Sequence, residues 1–105
     1  MAQTPEGHIL ECCIKHLKKL KREGLPIEWK KVHGSAMTRR GEPDLDVVVC
    51  GHSLKIELKA GNNKATPIQE HRLSQWAKAG ATVGVIRTVN ELDAVVQAAL
   101  KWAAR

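Results

Sequence analysis

Two short runs, LDVVVC at 45–50 and SLKIELK at 53–59, stand either side of Gly51-His52 and restrict the chain more than any other feature. Leu45, Val47 and Val49 alternate with other residues in the first run, as Leu54, Ile56 and Leu58 do in the second. A strict period of two is the mark of a strand with one buried face. Glycine followed by one other residue suits a two-residue hairpin turn. That turn predicts Cys50 opposite Ser53, Val48 opposite Lys55, Asp46 opposite Glu57 and Asp44 opposite Lys59. One face is then wholly aliphatic. The other gathers Asp44, Asp46, Glu57 and Lys59, with Val48 and Cys50 beyond them.

A solvated polar face explains half of this, since Asp44 opposite Lys59 reads as an ion pair. Asp46 opposite Glu57 does not fit it, because like charges directly across a strand pair destabilise the sheet. Asp44 is also diagonal to Glu57. Carboxylates packed this closely call for a cation, and hard oxygen donors suit Mg²⁺, which takes one or two protein carboxylates and otherwise keeps water or phosphate oxygens. A lysine beside such a site can orient an attacking water or stabilise charge developing on a phosphate. The hairpin alone leaves both accounts standing.

The flanking segments supply a framework. Thr4-Pro5 pairs a helix cap with a proline at the first helical position. Ile9, Leu10, Cys13, Leu17 and Leu20 then recur at helical spacing up to Gly24. Ile27 to His33 reads as a strand, and 34–43 as a loop. Thr66-Pro67 opens a second helix that runs to about Gly80, ATVGVIR is a buried-type strand, and Asn90 is expected to cap a last helix. The order is α-β-β-β-α-β-α, an α/β chain with no repeat, low-complexity tract or linker. Its 105 residues suit a single domain over 1–105.

Each of the first two helices directs one polar first-turn residue toward the sheet. Glu6 lies near the middle of the Ile9, Leu10, Cys13, Leu17 stripe, although a first-turn acid is also favoured by the helix dipole. Glu11 falls instead on the basic face with Lys15, Lys18 and Arg22, where a surface ion pair is the simpler role. Gln69 stands three residues after Thr66, as in a capping box, yet shares a face with Leu73, Trp76 and Gly80.

Net charge is +6, with an isoelectric point near 9.5, which favours a polyanionic partner, nucleic acid before a membrane surface. Arg39, Arg40 and Lys64 flank the acidic face from loops, where phosphate contact is expected. No run approaches the roughly 20 apolar residues of a membrane span, and MAQTPEG lacks a signal-peptide pattern. The 3 cysteines make no disulfide framework, so a reduced, soluble, cytoplasmic protein is expected. Cys12 and His16 have a zinc-compatible helical spacing but no second ligand pair. His71 reads as a surface residue. No glycine-rich phosphate loop or Ser-His-Asp arrangement is present.

Pro43-Asp44 followed by Glu57-Leu58-Lys59 resembles the PD-(D/E)xK nuclease superfamily. The longer pattern of TPEG, GEPDL, KIELKAG and TPIQEHRLSQWAKAGATVGVI is similar to the VRR-NUC family over residues 4 to about 95. The resemblance implies a restriction-endonuclease-like core, a central mixed sheet flanked by helices. It implies Asp44 and Glu57 as ligands for Mg²⁺ or Mn²⁺, with the Leu58 carbonyl as a further ligand and Lys59 as the catalytic lysine. Gln69 matches the family's glutamine and Glu6 its N-terminal acid; Glu11 is the alternative alignment. No family role carries onto Asp46. Single-domain relatives, of phage and bacterial type, resemble Holliday-junction resolvases and act as homodimers, whereas larger ones act on flaps. The implied activity is a structure-selective endodeoxyribonuclease. A flap- or fork-nicking enzyme and a non-catalytic nucleic-acid-binding module are the alternatives.

Overall fold

The hairpin turn falls one residue earlier than glycine placement suggests. Cys50 has φ 49° and Gly51 φ 79°. Positive φ at both central residues is the requirement of a type I′ turn, whose twist matches that of paired strands. The turn is therefore Cys50-Gly51, not Gly51-His52. Val49 faces His52, Val48 faces Ser53, Asp46 faces Lys55 and Leu45 faces Ile56. This corrects the expected register by two residues. A shift of two preserves which face each side chain occupies, so the aliphatic face survives and only the cross-strand partners change.

The computed structural model describes residues 4–32 and 38–103. Its elements are α1 (Pro5–Arg22), β1 (Ile27–Lys31), β2 (Leu45–Val49), β3 (His52–Leu58), α2 (Pro67–Lys78), β4 (Thr82–Ile86) and α3 (Val89–Ala103). The order is the expected one. Strand β1 stops before Val32; His33, and residues 34–37 of the expected loop, lie outside the described residues. The sheet runs β1-β2-β3-β4, antiparallel except for the parallel β3–β4 pair. A parallel pair requires a crossover connection, and α2 supplies it.

Helices α1 and α3 cover the aliphatic face. Cys13 and Leu17 from α1, and Leu92, Val96 and Ala99 from α3, pack with Leu45, Val47, Val49, Leu54, Ile56 and Leu58 in one buried cluster. Fully burying each larger side chain contributes about 1.5–3 kcal/mol. Burial also pushes the Cys13 thiol up to about 11, with Cys12 adding to the effect, so it serves as a small apolar group. At Gly84 a Cβ would stand 2.9 Å from Cγ2 of Val95, which shows how closely α3 lies on β4.

Helix α2 lies across the opposite face. Its Trp76 ring sits 3.9 Å from Nζ of Lys55, whose side chain leaves β3 on the side away from Ile56. The outer surface of β1 and β2 stays open, with Val48 48% exposed.

The caps follow local chemistry. The Thr4 hydroxyl accepts from Gly7 N at 3.0 Å, and Gly24 (φ 99°) follows α1 as the left-handed stop. Asn90 is not the cap of α3. Thr88 takes that role, its Oγ1 accepting from Glu91 N at 3.1 Å. Among the described residues no helix is long and apolar enough to cross a membrane.

Candidate active site

Continuing the observed register one step past Leu45 and Ile56 sets Asp44 opposite Glu57. The like-charge pair foreseen on this hairpin is therefore present with different members. Asp46, expected opposite Glu57, instead forms an ion pair with Lys55 at 3.0 Å, an ordinary cross-strand compensation. Lys59 approaches Glu57 rather than Asp44, with Nζ 3.5 Å from Oε2.

The backbone holds this arrangement in place. Asp44 sits just before β2, its carbonyl accepting from Val32 N at 2.9 Å. Its Oδ2 accepts from Leu58 N at 2.9 Å, tying it to the end of β3. Leu58 is the residue between Glu57 and Lys59, so this hydrogen bond ties Asp44 to the stretch of backbone that carries both. Lys59 N donates to Ile86 O at 3.0 Å, which fixes the lysine against β4.

Glu57 is 2% exposed and Lys59 9%, a degree of burial that charged side chains rarely reach without partners. Oε1 of Glu57 is buried and has no hydrogen-bond partner among the described residues. Burial first, then the neighbouring Asp44 carboxylate and its hydrogen bond, push Glu57 from 4.5 up to about 8, and Lys59 only partly opposes them. A buried carboxylate with an orphan oxygen beside a second carboxylate costs folding free energy. A carboxylate so perturbed by burial and a specific charged neighbour is a functional-site candidate.

Glu6 joins this site and Glu11 does not. Glu6 lines a cavity of about 230 Å³ together with Asp44, Leu58, Lys31 and Leu10. Glu11 lines a separate cavity with Lys15 and Lys18. Gln69 completes the capping box of α2, its Oε1 accepting from Thr66 N at 2.9 Å and its own N donating to Thr66 Oγ1 at 3.3 Å. Its carboxamide oxygen is thus engaged locally.

Arg39 and Arg40 share a second cavity with Asp44, of about 480 Å³, on the loop preceding β2. The Arg39 guanidinium is already paired with Glu42 at 3.1 Å. Lys64 is exposed on the loop after β3. Cys12 lies 3.7 Å from His8, and His16 pairs with Asp93 at 2.9 Å, so Cys12 and His16 do not converge on a common ligand.

Several supporting contacts have little counterpart in sequence spacing. Arg72 Nε donates to Arg40 O at 3.0 Å and Trp76 Nε1 to Glu42 Oε1 at 3.1 Å, so successive turns of α2 grip the loop leading to Asp44. Their i, i+4 spacing was the one available signal. Burial raises Glu42, but the hydrogen bonds from Trp76 and Arg39 and the charges of Arg39 and Arg72 leave it below the usual range. Gly41 (φ 81°) allows the same loop to approach α2; a Cβ there would lie 2.8 Å from Ile68 O. Arg87 holds the loop after Lys59, donating to Gly61 O at 3.1 Å and Asn63 O at 2.5 Å. No spacing rule links Arg87 to those carbonyls.

Two solved structures share this architecture. One, named "VRR_NUC domain", matches with a TM-score of 0.72 at 26% identity, covering 90% of this chain and 96% of its own. Another, named "VRR_NUC domain protein", gives 0.70 at 25% identity, covering 96% and 92% respectively. No family model and no curated protein matches the chain. The likeness to these two structures supports a nuclease domain. The chain resembles VRR-NUC domains in fold and in the order of its elements.

Proposed function

We propose that this protein is a Mg²⁺- or Mn²⁺-dependent endonuclease that hydrolyses phosphodiester bonds in branched DNA, with a four-way junction as its preferred substrate. The observation that carries the reading is the pairing of half-buried Asp44 with buried Glu57 and its orphan Oε1, beside the nearly buried Lys59. A divalent cation suits these groups. Two carboxylates with raised proton affinity at Glu57 need a positive charge, and their donors are all hard oxygens. Among the described residues no third Asp, Glu, His or Cys completes a side-chain cage. That composition fits Mg²⁺ or Mn²⁺, with water, phosphate and the Leu58 carbonyl filling the remaining positions.

Asp44 and Glu57 would hold the ion, which supplies Lewis acidity toward phosphate and water. The chain's own residues do the rest. Leu58 N keeps Asp44 aligned before substrate arrives, so little reorganisation accompanies binding. Lys59 carries a positive charge beside Glu57, where it stabilises negative charge developing on the scissile phosphate. Glu6, which lines the same cavity as Asp44, accepts a proton or a hydrogen bond from the attacking water. Gln69 orients the site through its carboxamide nitrogen, since its oxygen serves the cap. Arg39, Arg40 and Lys64 contact flanking phosphates from their loops.

The two helix acids separate cleanly. Glu6→Gln should lower the cleavage rate about tenfold or more, while Glu11→Gln should change it little. The reverse ranking, in single-turnover assays, would move the site acid to Glu11.

A panel of labelled four-way junctions, flaps, forks and plain duplexes, each with Mg²⁺, Mn²⁺ or EDTA, tests the substrate. Fastest cutting of the junction is expected. Preferential nicking of flaps or forks would replace resolution with that activity, and binding without cutting would identify a non-catalytic module.

Junction resolution needs two cuts related by a two-fold axis, and one described chain offers one site. A two-fold homodimer matches that symmetry. Mixing wild-type subunits with excess tagged Glu57→Ala subunits should give heterodimers that nick a plasmid cruciform, whereas wild-type dimers linearise it. A monomer at every working concentration, or linearisation by isolated heterodimers, would contradict the dimer.

A further inference from the structure

The cavity shared by Glu6 and Asp44 adjoins a groove of about 470 Å³ between α1 and the end of β1, and Gly7, Leu10 and Lys31 line both. Beyond them the groove is lined by Lys15 and Lys18. These two lysines lie three residues apart on one face of α1, and Lys31 faces them from the edge strand.

The pairing of α1's cations singles these out. Lys19 pairs with Glu23 at 3.8 Å, and Lys21 with Glu28. Lys15, Lys18 and Lys31 make no ion pair among the described residues, and all three are exposed. Glu11 is the single acid on the groove wall, leaving it a net positive charge. From Gly7 to Lys18 the helix advances about 16 Å at 1.5 Å per residue. That distance corresponds to about five phosphates at 3.4 Å of axial rise per nucleotide in one strand.

We infer that the groove formed by Lys31, Lys15 and Lys18 is the track on which one strand of a DNA duplex arm leaves the active site, its phosphates held by the three ammonium groups. The inference deepens the nuclease reading and rests on it. It assigns substrate positioning to the first helix and the edge strand, in addition to the arginine loop. A polyanion is the occupant that charge complementarity selects, and the wall that the groove shares with the Asp44 cavity aligns it with the strand that is cut.

The test compares two charge-matched triple variants. One carries Lys15→Gln, Lys18→Gln and Lys31→Gln; the other carries Lys19→Gln, Lys78→Gln and Lys101→Gln, all off the groove. Glutamine leaves helix propensity almost unchanged, and circular dichroism and melting check the fold. Binding of a fluorescent four-way junction in EDTA is followed by anisotropy over a range of salt. Loss of three phosphate contacts should lower the slope of log K against log salt by about two to three, with at least about tenfold weaker binding at moderate salt. The control triple should change the slope by less than about one. Singles at Lys15 and Lys18, each expected to remove about one from the slope, stand in if a triple fails to fold. Equal slopes for the two triples, with junction cleavage by wild type intact, would overturn the groove alone. Absence of both binding and cleavage by wild type would overturn the nuclease reading with it.

Discussion

Asp44→Ala or Glu57→Ala should reduce cleavage of a four-way junction by about a thousandfold or more, the scale on which losing one charged group from a preorganised site acts. Junction binding should survive or tighten in the same variants. Asp44→Ala removes a carboxylate from beside the incoming phosphate and Glu57→Ala a buried one that stays largely protonated near neutral pH without metal, while the basic residues that supply affinity stay in place. Gel-shift and single-turnover cleavage on the same preparations separate the two effects. Equal cleavage by wild type and both variants would remove the carboxylate pair from the mechanism.

The isosteric change at Glu57 should act in the opposite direction on stability. Glu57→Gln replaces a buried, half-satisfied carboxylate with a neutral amide whose N–H groups can donate to Asp44. In metal-free buffer the variant is expected to be more stable by about 1–3 kcal/mol, raising Tm by at least about 4 °C for a domain of this size. The gain should depend on pH. The folded value for Glu57, about 8, lies above the ordinary 4.5, so the folded form keeps a proton that the unfolded chain has released. Stability from this group is full below about 4.5 and falls as pH rises toward about 8. The advantage of Glu57→Gln should therefore widen across that window and then level off. Added Mg²⁺ or Mn²⁺ should stabilise wild type through binding to the native state and leave the variant nearly unaffected. Calorimetry at several pH values reads all three effects. A variant less stable than wild type in EDTA would show that Glu57 is held by partners rather than left wanting one.

The parts of this site that were legible in the sequence rest on period and on short-range chemistry. Alternation placed Leu45, Val47, Val49, Leu54, Ile56 and Leu58 on one face, and that assignment survived a register error because it depends on parity alone. The partners of Asp46 depended on the turn, and there the glycine misled. A type I′ turn accepts a non-glycine at its first central position at some cost, and Cys50 takes it, moving every cross-strand pair by two. The correction concentrates the like charges on Asp44 and Glu57 and leaves Asp46 with Lys55. Glu6 was legible because a helical wheel separates it from Glu11 without tertiary information. The clamp on the loop before Asp44 was not. Arg72 and Trp76 of α2 reach Arg40 and Glu42 across more than thirty residues of chain, and helical spacing names no distant partner. The lysine groove was hidden for a related reason. Lys15 and Lys18 read as a solvated helix face until β1 brings Lys31 alongside, on the wall shared with the Asp44 cavity.

The most direct measurement is the single-turnover cleavage rate of a labelled four-way junction as Mn²⁺ is titrated, for wild type and Glu57→Gln side by side. Wild type should be silent in EDTA and rise to a saturating rate with metal, while the variant stays at least about a hundredfold below it throughout. Cleavage by wild type that persists in EDTA, or a variant that follows the wild-type curve, would contradict the assignment of Asp44 and Glu57 as the metal-holding pair of a nuclease.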